Sequence, residues 1–129
     1  MDEFDLPIFK KNYELYKLLY SLKVSIPKQD RYTLWQRVEN ISLEIVEMFF
    51  EAVTLYKEEK VSVLQKASLK LDLLRFFVRL AHETKVIDGK KYTTIQQQID
   101  EVGRMLGGWI KSILNPKNGN QNENEKAPE

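Results

Sequence analysis

Residues 34–55 read LWQRVENISLEIVEMFFEAVTL. Within them Leu34, Val38, Ile41, Ile45, Met48, Ala52 and Leu55 recur at alternating steps of four and three residues. An α-helix turns by about 100° per residue, so this spacing lines the seven side chains along one stripe, the seam of a helical bundle. A half-buried strand needs alternation at every second residue, and no segment of the chain shows it convincingly. The stretch predicts a helix from about residue 30 to 57 and sets the fold class as all-α.

Three more helices flank it. Upstream, Asp5-Leu6-Pro7 reads as a helix start, with Asp5 as cap and proline in the first turn, where a missing N–H costs little. From there to about Val24 one face carries Phe9, Tyr13, Tyr16 and Tyr20, and the opposite face Leu15, Leu18, Leu19 and Leu22. The segment SIPKQD breaks the pattern at Pro27. Downstream, a third helix is predicted over about residues 61–84, and Asp88-Gly89 supplies a turn. Thr94-Ile95-Gln96-Gln97 is a capping-box candidate for the fourth helix, whose stripe is Tyr92, Ile95, Ile99, Val102, Leu106, Trp109 and Ile113. Helices of about 20–27 residues are roughly 30–40 Å long. Short connections make them an antiparallel up-and-down four-helix bundle over residues 1–114. The closing NPKNGNQNENEKAPE (115–129) is polar and predicted to be a disordered tail.

The third helix is apolar on two sides. Leu64, Ala67, Leu71, Leu74, Val78 and Ala81 share one face, and Leu69, Leu73, Phe76, Phe77 and Leu80 a second, nearly opposite one. A helix in a four-helix bundle needs one such stripe. Either the wide stripe sits deep in the core, or Phe76, Phe77 and Leu80 lie at a subunit interface. The first helix has the same two-sided character, which favours a homo-oligomer.

Candidate chemistry is sparse. The 129 residues include no cysteine and one histidine, His82, so neither a thiol nucleophile nor a thiolate metal site is available. Position 79, three before His82, is arginine, which removes the Glu-x-x-His motif of di-iron bundles. No GxxxxGK[ST] phosphate loop occurs. The expectation is a protein that is not an enzyme and needs no cofactor. Glu44, Glu47, Glu51 and Glu58 align on one side of the second helix, as a solvated face, a metal-binding row or a contact for a basic partner helix. No run of 18 apolar residues spans a membrane, and the acidic start MDEFDLPIFKK lacks a secretory apolar region, so a cytoplasmic setting is expected.

The net charge of +1 hides an uneven distribution. Residues 29–60 carry four Lys/Arg against seven Asp/Glu, and residues 61–85 five against two. Arg75, Arg79 and His82 share one side of the third helix, Lys66 and Lys70 lie four apart near its start, Lys28 and Arg31 flank the first turn of the second helix, and Arg104 projects from the fourth. Each alone is a surface cation or an ion-pair partner. Several copies in a ring would multiply contacts with a polyanion.

The fourth helix contains IDEVGRMLGGWIKS (99–112), with three of the chain's five glycines. Each mid-helix glycine costs roughly 1 kcal/mol relative to alanine. The segment EVGRMLGGWIKS (101–112) closely resembles the signature of the accessory variability determinant (Avd) proteins of diversity-generating retroelements. SIPKQDRYTL (25–34) is similar to that family's first connector, and LDLLRFFVRLAHE (71–83) resembles its third-helix pattern, in the same order along about residues 11–114. The resemblance implies a four-helix bundle assembled as a homopentamer with basic outer surfaces. It implies an accessory role, binding the retroelement's reverse transcriptase and RNA or DNA while template RNA is copied into mutagenised cDNA. Lys28, Arg31, Lys66, Lys70, Arg75, Arg79 and Arg104 are then the candidate contacts for nucleic acid or polymerase. Gly103 and Gly107 lie on one side of the fourth helix, where they permit close helix approach, and Gly108 widens the strip; the neighbouring helix belongs to the same chain or the next subunit. A second expectation is a scaffold like the related bundles encoded by intervening sequences of ribosomal RNA genes, with no polymerase partner.

Overall fold

The computed structural model describes residues 6–116. They form α1 (Pro7–Ser21), a four-residue α2 (Lys28–Arg31), α3 (Leu34–Val53), α4 (Lys57–Glu83) and α5 (Gly89–Leu114), with no strand among the described residues. The helix α1 packs on α3 and α5, and α4 packs on the same two neighbours, closing a square around one core. Successive long helices joined by short turns run antiparallel, which makes the four-helix bundle. The proposed cap Asp5 and all of the tail beyond Pro116 lie outside the described residues.

The stripes read from sequence are the ones that are buried. On α4, Leu64, Ala67, Leu71, Leu74, Val78 and Ala81 all face the core. On α5, Ile95, Ile99, Val102, Leu106, Trp109 and Ile113 do so, with Tyr92 partly covered. On α3, Val38, Ile41, Ile45 and Ala52 are buried, Leu34 and Met48 are only partly so, and Leu55, the last of the predicted seam, lies beyond the helix end at Val53 and is half-buried. Trp35 and Phe49 are fully buried beside that seam. A helix touching both α1 and α4 needs a wider stripe than a two-helix seam, and these two residues widen it.

Two side chains fasten α3 to α1. The Trp35 indole Nε1 donates to the Leu19 carbonyl at 3.1 Å, and Asn12 Nδ2 donates to the Ser42 carbonyl at 3.1 Å, both buried. Between these helices the chain does not run straight into α3. Arg31 Nε donates to the Ile26 carbonyl at 2.9 Å and its Nη2 to the Val24 carbonyl at 3.1 Å. This clasp closes the connector, and the helix breaks at Tyr32-Thr33 before restarting at Leu34.

The predicted start of the last helix is corrected by six residues. Helix α5 begins at Gly89, capped by Asp88, whose carboxylate accepts the Lys91 backbone N–H at 2.8 Å. Thr94 lies inside the helix, its hydroxyl donating back to the Lys90 carbonyl at 3.0 Å. The turn is this tight because α4 ends in a Schellman motif. Val86 N–H bonds the Ala81 carbonyl at 2.8 Å and Lys85 N–H the His82 carbonyl at 3.0 Å. Lys85 occupies the left-handed position at φ 66°, where glycine is usual, and Val86 and Ile87 are buried against the bundle end.

Replacing Trp35 by phenylalanine removes the bond to Leu19 and part of the ring. The expected loss is about 1–2 kcal/mol, read in urea as a lower midpoint at unchanged slope. Hydrogen bonds from the Lys91 backbone N–H and ammonium hold the Asp88 carboxyl below its ordinary pKa. A carboxyl depressed in the folded state contributes stability above its unfolded pKa and loses it as pH falls through the folded one. Asp88→Ala should therefore melt below the parent at neutral pH and converge with it in acid; a constant gap across that range would rule out this titration.

Candidate functional site

The second apolar face of α4 is not buried within the chain. Leu69 is 71% exposed and Phe76 61%. With Leu73 and with Met48 of α3 they line an open groove of about 660 Å³, bordered by Lys66, Lys70 and Asp72. The deep-core alternative fails for these residues, and Leu80 is also exposed. Phe77 is corrected the other way. It is partly buried against the core and meets Phe76 edge-on, with ring centroids 5.6 Å apart. Phe76, Leu69 and Leu80, rather than Phe77, are the outward side chains of this face.

The structure separates the candidate cations into bound and unbound sets. Arg75 spans two helices, donating to Asp72 at 2.8 Å and to Asp100 of α5 at 3.4 Å. Arg79 donates to Glu83 at 3.0 Å, and that carboxylate raises its pKa above the ordinary arginine value. Arg104 pairs with Glu101, and Lys70 with Glu44 of α3 at 2.8 Å. Arg31 is the connector clasp described above. Lys28 and Lys66 remain exposed and pair with no carboxylate among the described residues. Most of the arginines that stood out in sequence are therefore engaged in holding helices, connectors or single turns. The expected acidic row is broken, because Glu58 lies in the first turn of α4 and not on α3. Glu44 has a cross-helix role through Lys70, and the described residues contain no group of three or more His, Asp or Glu placed to hold a metal ion.

The glycine strip divides in the same manner. A Cβ built on Gly103 would lie 2.7 Å from Arg75 Nη2 and 3.4 Å from Leu71 Cδ2, so this glycine does admit α4 closely and leaves space for the bridging guanidinium. Gly107 has nothing within 4 Å, and Gly108 is likewise exposed. Of these glycines Gly103 is the one seen to admit a close helix approach; Gly107 meets no neighbouring helix of the chain, and Gly108 is exposed.

A cluster that the sequence reading missed lies at the end of the bundle holding the first connector and the α4–α5 turn. Ser25 of the connector and His82, Lys85, Asp88 and Lys91 of the turn line one cleft of about 390 Å³. His82 stacks on Tyr92 there, with centroids 4.5 Å apart and planes 13° from parallel. Lys28 and Arg31 belong to the connector, and Arg79 lies one turn before the end of α4. Glu83 also lines the cleft and pairs with Arg79, as Asp88 does with Lys91, which leaves Lys28, Lys85 and Lys90 as the cations without a carboxylate partner here. Lys85 stands at a backbone position that glycine fits better, a strained placement of the kind that clusters at functional surfaces. The near-neutral total had concealed this. Residues 1–5 and 117–129 hold six of the nineteen carboxylates and two of the twenty Lys/Arg, leaving eighteen cations against thirteen carboxylates, a balance of +5, on residues 6–116.

A family model described as bAvd-like matches residues 6–113. The chain belongs to the bAvd-like family. The match opens at the cap of α1 and closes at the last buried residue of α5, so the bundle as a whole is the family's domain. The groove on α4, the Arg75 bridge and the basic end all fall within it. No curated protein matches the chain. No helix among the described residues is long and apolar enough to cross a membrane.

Gly107→Ala tests what the open part of the strip does. With nothing within 4 Å to obstruct a methyl group, the variant is expected to gain about 1 kcal/mol from helix propensity. A lower melting temperature, or a smaller particle in light scattering, would instead place another subunit's helix over Gly107.

Proposed function

We propose that this Avd-type protein is a non-enzymatic accessory factor of a diversity-generating retroelement, binding the reverse transcriptase and template RNA or cDNA during mutagenic reverse transcription. The observation that carries the reading is the family match across the whole bundle. Two features of the bundle support the division of labour. The apolar groove around Leu69 and Phe76 suits assembly of identical copies, for which a pentamer is expected, because an uncovered patch of large side chains costs solubility unless it is covered. The excess of five cations on residues 6–116, gathered in part around the connector and the α4–α5 turn, suits a phosphate backbone or an acidic surface of the polymerase.

The decisive experiment is co-expression with the reverse transcriptase encoded nearest to this gene, followed by size exclusion with light scattering. A co-eluting complex with several copies of this chain is expected. A clean oligomer that ignores the polymerase would overturn the retroelement role and leave a scaffold of the ribosomal-intervening-sequence kind. Phe76→Asp is expected to reduce the oligomer mass with helicity intact, because one charge enters the centre of the groove. An unchanged mass would remove this face from the assembly.

A further inference from the structure

The exposed side of α1 offers a pattern found on neither the α4 groove nor the arginine pairs. Lys10, Tyr13, Lys17 and Tyr20 follow one another at steps of three, four and three residues, which aligns them along one side of the helix. Tyr13 is 50% exposed and Tyr20 61%. The Lys17 ammonium lies 5.3 Å from the centroid of the Tyr13 ring, and the Tyr16 and Tyr20 rings are 6.3 Å apart. The pattern continues over the connector. Tyr32 is 70% exposed with Lys23 Nζ 5.8 Å from its ring centroid, and Lys28 stands close by in sequence. The strip thus leads from the middle of α1 to the basic end of the bundle.

Its charges are available. Lys10, Lys17 and Lys28 pair with no carboxylate among the described residues, whereas Lys70, Arg75, Arg79, Lys91 and Arg104 each do. Lys23 has Glu39 at 3.6 Å. Glu14 is the one carboxylate on α1, four residues after Lys10 and three before Lys17, and it makes no ion pair with either.

Alternating lysine and tyrosine suits one class of ligand. The core of a protein–protein interface is depleted of charge and of lysine in particular, so a face of alternating lysine and tyrosine is poorly suited to be one. A single-stranded nucleic acid presents a phosphate and a flat base at each step, and proteins that hold it combine a basic track with aromatic side chains on which bases stack. Beside the strip, Tyr13 and Tyr16 form one wall of a crevice of about 250 Å³ against Leu43 and Phe50 of α3. Asn12 and Ser42 also line it, and Asn12 Oδ1 and Ser42 Oγ are buried without a hydrogen-bond partner. That slot is an almost wholly apolar seat beside the tyrosines, which suits the flat face of a base.

We propose that the Lys10–Tyr13–Lys17–Tyr20 face of α1 is a stacking track for single-stranded RNA or DNA, with bases on the tyrosines and phosphates on the lysines. The proposal rests on the nucleic-acid half of the function above and gives it a location away from the arginines. The test is fluorescence anisotropy of the full chain with a fluorescein-labelled oligouridylate long enough to cover a site of about 16 nucleotides, titrated at several salt concentrations. Tyr13→Ala with Tyr20→Ala should weaken binding by roughly tenfold for each ring removed, with the salt slope unchanged. Tyr13→Phe with Tyr20→Phe should retain it. Lys10→Gln with Lys17→Gln should lower the slope of log K against log salt by about 0.7 per lysine. Alanine variants that stay helical and bind like the parent would overturn the track and leave the basic end as the nucleic-acid site. Variants that lose the polymerase but keep RNA would overturn it in favour of a protein contact. A parent that binds no RNA at any salt would sink the nucleic-acid reading itself, a failure distinct from the other two.

Discussion

A helix that is apolar on two sides can satisfy only one of them inside its own four-helix bundle, and α4 imposes that constraint on the rest of the molecule. Its inner stripe, Leu64 through Ala81, is the wall against which both α3 and α5 pack. Each large aliphatic residue buried there contributes roughly 1.5–3 kcal/mol through removal from water, so the stripe dictates which way the helix faces. Once it is fixed, Leu69 and Phe76 have nowhere to go but outward. The exposed groove is therefore a consequence of the core and not a defect at its margin. Moving those side chains inward would require turning the helix and exposing a stripe of comparable size.

The same economy governs the charges. Four of the five arginines among the described residues are short of freedom; Arg37 is exposed and makes no ion pair. Arg75 joins α4 to α5, Arg31 closes the connector, and Arg79 and Arg104 each pair within one turn of their own helix. Guanidinium groups suit such positions because their planar donors bond carboxylates and carbonyls in fixed directions. Lysines carry most of the charge left over, as compact, hydrated points on flexible stems. Exposed pairs such as Arg79–Glu83 are worth little to stability, so they would yield to a phosphate at small cost. Arg75 differs, because its displacement would also disturb the packing of α4 on Gly103.

What was legible in the sequence was whatever depends on period. The α4 and α5 stripes and the four long helices follow from the 3.6-residue repeat, which also marked a second apolar face on α4 but left open whether it was core or surface. Features that depend on a single local bond were not. Thr94 offered a capping-box pattern, but Asp88 took the cap because the α4 end turned tightly enough, through Lys85 in a left-handed conformation, to start α5 at once. No lysine advertises that conformation in advance. Arg31 looked like a free cation because its acceptors are backbone carbonyls, which have no sequence signature. Gly107 and Gly103 looked equivalent at a spacing of four, yet only Gly103 lies under a neighbouring helix. The basic end was hidden by arithmetic, since acidic residues at both termini cancel it in the total.

These strands meet in the matter of assembly. One copy of this bundle offers a few unpaired lysines per face, which is a weak polyanion site when each contact is set against bulk salt. Covering the α4 groove with another copy's surface would place identical lysine-bearing faces at fixed spacing, and linked sites bind with the effective concentration that spacing sets. A bundle with a body charge of +5 can then hold nucleic acid without being strongly basic itself. Self-association through the groove would leave the lysines of α1, which do not line it, outside the joint, while Lys66 at its border would have to stay solvated or meet a carboxylate of the next copy. Apolar groove and basic surface are in this sense one design. In the proposed assembly the groove would create the multiplicity that a modest charge requires, and the modest charge would limit the mutual repulsion that assembly must overcome.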